Sequence, residues 1–199
     1  MRILEFGNKK TGKQLYRDEY LLNGASTYHS VDINGEDGAI PIDLRRDDAA
    51  DEIKTKTGYN SFDFITNIGT SEHVTIQKSF YKCVHELMHE GTYVVHWTPQ
   101  AKKRIEHSRA GSVWHAYPEF FEHLAAMNGY AIELKECTPK RKNLPYGKVG
   151  WDLTVVRYKA TQNLTKEFYW DPVWDEKFFW RNPNYDEAKW NAKLNLKEL

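Results

Sequence analysis

The chain has 199 residues, with 28 Lys plus Arg against 28 Asp plus Glu and a formal charge of zero at pH 7. That balance disfavours nucleic-acid binding through bulk basicity, and 40% hydrophobic with 14% aromatic residues excludes disorder over most of the length. No apolar run approaches the roughly 18 residues that span a bilayer, so no membrane segment is expected.

The opening MRILEFGNKK carries early charge and no small-residue cleavage site, which predicts no signal peptide. Cys83 and Cys137 form no CxxC pair and read as reduced thiols of a cytoplasmic protein. Arg2 to Phe6 is a short apolar run closed by Gly7, the pattern of a buried strand. Lys13 to Leu22 reads as a helix stopped by Asn23-Gly24, and Thr27 to Ile33 as a second strand ending at Asn34-Gly35. Ala39 to Leu44 is a shorter run whose Pro41 argues against a central position. Asp47 to Lys56 has acids in its first turn and lysines in its last, the order a helix dipole favours.

Phe62 to Ile68 is the clearest buried strand. From His73 to Met88 the residues Val74, Gln77, Phe80, Tyr81, Val84, Leu87 and Met88 trace one helical face. Thr92 to Trp97 is the next strand, followed by an irregular polar stretch with Lys102, Lys103, Arg104, His107 and Arg109. Pro118 opens a helix that Gly129 closes. Tyr130 to Glu136 and Asp152 to Tyr158 are strands joined by a basic loop, with no helix-length segment between them, so they pair antiparallel most easily. The alternation predicts an α/β fold: an open, doubly wound, mostly parallel sheet with one antiparallel strand near the edge. Residues 1–160 form this domain. Residues 161–199 form a tail with Trp170, Trp174, Trp180 and Trp190, which must bury its indoles on the domain, a ligand or a second copy in a homodimer.

In open parallel sheets, ligands bind beyond the carboxyl ends of the strands. Those ends carry Glu5 and Gly7, then Asp32, then Asp43, then Asn67 and Gly69. An acid after the second strand can accept both ribose hydroxyls, and an acid after the third can accept from adenine's amine. Gly7 lets backbone approach a ligand with no side chain between them.

The series LEFG, SVDING, IDL, FDFITNIGTSEHV and EGTYVVHWTP resembles the Rossmann-like S-adenosylmethionine-dependent methyltransferases over residues 2–160. The resemblance implies that Glu5 and Gly7 approach the methionine part of the cofactor and that Asp32 holds the ribose. It also implies that Asp43 and Leu44 contact adenine, and that Asn67, Ile68 and Gly69 line the sulfonium side. The chain departs from the family's E/D-x-G-x-G-x-G loop, reading Glu5-Phe6-Gly7-Asn8-Lys9-Lys10-Thr11-Gly12. Only the first glycine is in register, so a catalytically inactive relative and a nucleotide-binding protein on the same sheet stay open as alternatives.

Methyl transfer to a hydroxyl or amine is helped by a general base, and His is the usual one at neutral pH. His73 with Glu72, and His96, are the catalytic candidates; His107 and His115 lie in the loop beyond. A helix start capped by Ser71 and a satisfied core histidine are the competing readings of the first two sites. No metal-ligand spacing forms, although His85 and His89 stand four apart. Lys102-Lys103-Arg104 and Lys140-Arg141-Lys142 read as solvated loops, and Asn163-Leu-Thr as an accidental glycosylation motif. Family members carry a segment before the first strand that helps close the cleft. Substrate selection is then expected to come from residues 98–117, the Trp-rich tail or another protein. The expected partner is a small-molecule or glycan acceptor.

Overall fold

The protein, a computed structural model, is described for residues 1–8, 10–11, 14–101, 113–138, 153–181, 185, 186 and 188. Strand β1 (Arg2–Phe6) is buried almost throughout, as a parallel strand with cover on both sides requires. A small hairpin of β2 (Lys10–Thr11) and β3 (Gln14–Leu15) follows, and only then helix α1 (Tyr16–Leu22). The expected helix from Lys13 is therefore shorter, because Gln14 and Leu15 pair back on Thr11 and Lys10.

The remaining elements are β4 (Thr27–Asp32), β5 (Ile40–Pro41), α2 (Ala49–Thr57), β6 (Phe64–Ile68), α3 (Gln77–Glu86) and β7 (Tyr93–Pro99). After them come β8 (Trp114–Ala116), α4 (Glu119–Asn128), β9 (Tyr130–Thr138), β10 (Leu153–Ala160), α5 (Trp174–Phe178) and β11 (Phe179–Arg181). Seven strands form one sheet in the order β5-β4-β1-β6-β7-β10-β9. It is parallel from β5 to β7, and β10 is inserted antiparallel between β7 and β9. Pro41 sits on the edge strand, where a missing N–H does least harm.

Left-handed glycines end two helices: Gly58 after α2 and Gly129 after α4, each at φ 76°. Gly129 also lacks room, since a Cβ there would lie 2.0 Å from the Asn163 carbonyl oxygen. The helix expected from His73 begins instead at Gln77, preceded by a 3₁₀ turn, Ser71–His73. The Gln77 amide holds that break, donating to the carbonyls of Ser71 and Val74 at 2.7 Å each.

The two faces of the sheet differ. On one, Leu4, Phe6, Val31, Ile65, Val94, Val156 and Tyr158 are all buried. They lie under α2, α3 and α4, with Phe6 on Phe80 at 5.2 Å and Tyr81 on Phe120 at 4.9 Å between ring centroids. On the other, α1 covers the β4–β6 end, Tyr20 stacking on Tyr28 at 5.8 Å and meeting Phe64 edge-on at 6.2 Å. Farther along that face Trp97 is 40% exposed and Arg157 is exposed. The C-terminal segment packs on the covered side: Trp170 stacks on Tyr81, and Phe179 meets Phe120 at a tilt. His85 of α3 anchors it, accepting from the Tyr130 hydroxyl through Nδ1 and donating through Nε2 to the Thr165 carbonyl at 3.0 Å. Trp190 lies outside the described residues. Among the described residues no helix is long and apolar enough to cross a membrane.

Candidate functional site

Backbone contacts knit the carboxyl ends of the central strands together. Gly7, at φ 77°, donates its N–H to the Val31 carbonyl at 2.8 Å, holding the β1 exit against β4. Gly69, at φ 65°, does the same from β6 to the Trp97 carbonyl at 2.8 Å. The Thr70 hydroxyl reaches back to the Phe6 carbonyl at 2.7 Å, tying the β6 loop to β1. Glycine suits both strand exits because a side chain at positive φ would be strained.

Glu5 is fully buried on the α1 side and accepts the Tyr28 hydroxyl at 2.6 Å. Burial pushes the Tyr28 phenol far up, and Glu5 adds to the shift, so Tyr28 remains a donor. Asn8 joins the loops after β1 and β4: its amide donates to the Glu36 carbonyl at 2.9 Å and its oxygen accepts from Ser30 at 3.4 Å. Asp32 is half-buried at the tip of β4, where its Oδ1 accepts the Asn34 N–H at 3.3 Å in an Asx turn. Asp43 lies one strand over. The two ends are linked by the Ile42 N–H on the Asp32 carbonyl at 3.3 Å. The Asp43 carboxylate is clasped by Arg45, with Nε at 2.8 Å and Nη2 at 2.7 Å. Burial raises its pKa, but hydrogen bonds and charge from Arg45 outweigh that, and the group stays below the usual carboxylate range. Leu44 beside it is a core residue.

At the end of β6, Asn67 is buried and its orientation is decided by geometry. Its Oδ1 accepts the Ser71 N–H at 3.0 Å, so Nδ2 must face the Ser71 hydroxyl at 2.9 Å and His96 Nδ1 at 3.0 Å. An amide nitrogen only donates, so Nδ1 of His96 accepts and its proton resides on Nε2. His96 is 1% exposed among Tyr81, Phe121 and Tyr158, and burial lowers its pKa to about 3. It is thus a neutral histidine enclosed by rings and holding Asn67 in place. Ile68 is half-buried beyond it.

Glu72 and His73 lie in the 3₁₀ turn after β6, with His73 Nε2 3.9 Å from Glu72 Oε1. Glu72 is buried, whereas the His73 side chain is 34% exposed. Strand β8 runs alongside, the Val113 N–H donating to the Glu72 carbonyl at 2.7 Å. That strand brings His115 to the same corner. Burial, with a smaller contribution from His73, lowers the His115 pKa to about 4. His115 and Arg45 had no periodic or motif signal of their own; their positions depend on β8 pairing with β11 and on the loop after β5. Lys9, His107 and the two basic clusters lie outside the described residues. No group of three metal-ligating side chains forms among the described residues.

No family model and no curated protein matches the chain. Among solved structures, TehB from Haemophilus influenzae aligns with a TM-score of 0.52 at 12% identity, over 80% of this chain and 57% of TehB. The CurJ carbon methyltransferase aligns with a TM-score of 0.49 at 17% identity, over 81% of this chain and 48% of the other. A Burkholderia thailandensis 1,6-didemethyltoxoflavin-N1-methyltransferase, solved with that compound and S-adenosylhomocysteine, gives 0.48 at 13%, over 80% and 71%. This chain thus spans about half the length of the CurJ enzyme and less than two thirds of TehB. With the strand order above, the TehB alignment shows a shared Rossmann-like α/β fold.

Proposed function

We propose that the protein binds S-adenosylmethionine across the ends of β1, β4 and β6 and transfers its methyl group to a hydroxyl or amine of a small molecule or glycan. The observation that supports this most is the placement of Gly7, Asp32 and Gly69 at three neighbouring strand ends of a sheet with one inserted antiparallel strand. The residues fit the group at Gly7, where no Cβ obstructs backbone approach, and at Asp32, whose half-buried carboxylate suits ribose hydroxyls. Asn67, Ile68 and Gly69 would border the sulfonium. Glu5 supports from beneath, through Tyr28. Near adenine, Asp43 would share its carboxylate with Arg45, leaving Leu44 backbone as the second contact.

The bound cofactor supplies an electrophilic methyl group, and this chain's residues orient the acceptor against it. His73, whose side chain is 34% exposed in the turn after β6, would take the proton that the acceptor's hydroxyl or amine gives up. Glu72 stabilises the imidazolium that results. His96 serves as a positioning residue, through Asn67. Calorimetry with S-adenosylmethionine and S-adenosylhomocysteine tests the reading: Asp32→Ala should weaken binding by about 1–3 kcal/mol, the scale of a lost charge-assisted hydrogen bond. Absence of binding by the wild type at millimolar ligand would refute it. A second reading, a cofactor-binding module without turnover, draws on the β2–β3 hairpin, which stands where the family has a glycine loop. Binding without transfer to any acceptor in a broad screen would favour that version.

A further inference from the structure

Strand β8 is three residues long and depends on distant partners. It pairs antiparallel with β11 of the C-terminal segment, and its Ala116 carbonyl accepts the Ala101 N–H at 2.9 Å. The register sets His115 opposite Trp180, with ring centroids 5.5 Å apart. His115 is 2% exposed, yet its Nε2 has no hydrogen-bond partner among the described residues. A buried polar atom in this state calls for a partner, which a water, an ion or a ligand can supply. Trp180 is half-buried, so part of its indole remains available. The hydrogen bond from Val113 to Glu72 ties this strand to the turn that carries His73.

We propose that this corner is the acceptor subsite and that it seats a planar aromatic ring bearing one hydroxyl or amine. The Trp180 indole offers the flat apolar surface, His115 Nε2 hydrogen-bonds the substituent, and His73 lies beside it to take the proton. What happens to the substituent rests on the methyl-transfer reading; the binding does not.

The chemistry narrows the class. Burial keeps the His115 ring neutral, so it offers one N–H and one lone pair and gives an anionic ligand no charge to pair with. A sugar brings several hydroxyls, each needing a partner when dehydrated. The polar side chains placed here are His115, His73 and the buried Glu72, and with Glu72 turned to His73 at 3.9 Å the set suits a ring with one substituent. Indole and imidazole side by side also match the stacking preferences of an aromatic ligand.

The test uses the full chain labelled with ¹⁵N-histidine and free of cofactor, titrated with phenol and with aniline, and separately with methyl glucoside. The His115 ring resonances, assigned with His115→Asn, should move saturably with phenol or aniline. Trp180→Ala should weaken that binding by about fivefold, the scale of one aromatic contact, and Trp180→Phe should restore most of it. Unmoved His115 resonances, or a stronger response to methyl glucoside, would overturn the proposal. If the cofactor binds and His115 stays still, the subsite falls and methyl transfer stands. If His115 responds and the cofactor does not bind, the reverse holds.

Discussion

The two faces of the sheet teach different things about how this chain uses its residues. Under α2, α3 and α4 the strand side chains are dehydrated, and two of the polar ones, Asn67 and His96, hydrogen-bond each other. Across the sheet, α1 shelters Glu5 and Tyr28 at one end, and the far end leaves Trp97 and Arg157 in solvent. The larger apolar core therefore lies on the first face. The buried groups near the site are polar because strand ends beyond the helices need partners that the core cannot supply.

Four measurements break or sharpen that contrast. The largest effect is acid sensitivity. His96 and His115 have lowered pKa values in the folded state, so the unfolded chain takes up protons first and stability falls as pH drops below the unfolded value. Each contributes about 1.4 kcal/mol per pH unit, so the loss between pH 6.5 and about 4.5 is on the order of 5 kcal/mol. Urea denaturation across that range checks it, and a flat profile would contradict the enclosed placement of both rings. Next, Phe120→Ala on the covered side should cost about 3–5 kcal/mol, because a fully buried aromatic leaves a cavity. A loss under about 1 kcal/mol would mean that the aromatic cluster is not packed as described.

Tyr28→Phe probes the sheltered end of the opposite face. Removing a donor from buried Glu5 should cost about 1–3 kcal/mol, read by thermal unfolding. The smallest effect belongs to Leu22, 82% exposed on α1, where Leu22→Gln should stay within about 0.5 kcal/mol of wild type. A larger change there would show that α1 has a partner in solution.

Much of the fold was legible because it depends on local pattern. The apolar run read at Phe62–Ile68, which forms a strand over Phe64–Ile68, the helix from Pro118 to the glycine at 129, and the edge position of Pro41 follow from periodicity, capping and the missing proline N–H. The strand-end order of Glu5, Gly7, Asp32 and Asp43 was equally readable. Boundaries slipped where side chains override local preference, as at Gln77, which pins the turn before α3.

Composition and spacing thus settled the strand–helix alternation and the row of residues along the carboxyl ends of the strands, since each depends on neighbours within a few positions. The tertiary structure alone decided that His96 turns inward to Asn67, that Arg45 claims Asp43, and that β11 presents Trp180 to His115. Such pairings join residues across the sheet, around a loop or from the far end of the chain. Their partners are chosen by packing and dehydration, which no local pattern encodes.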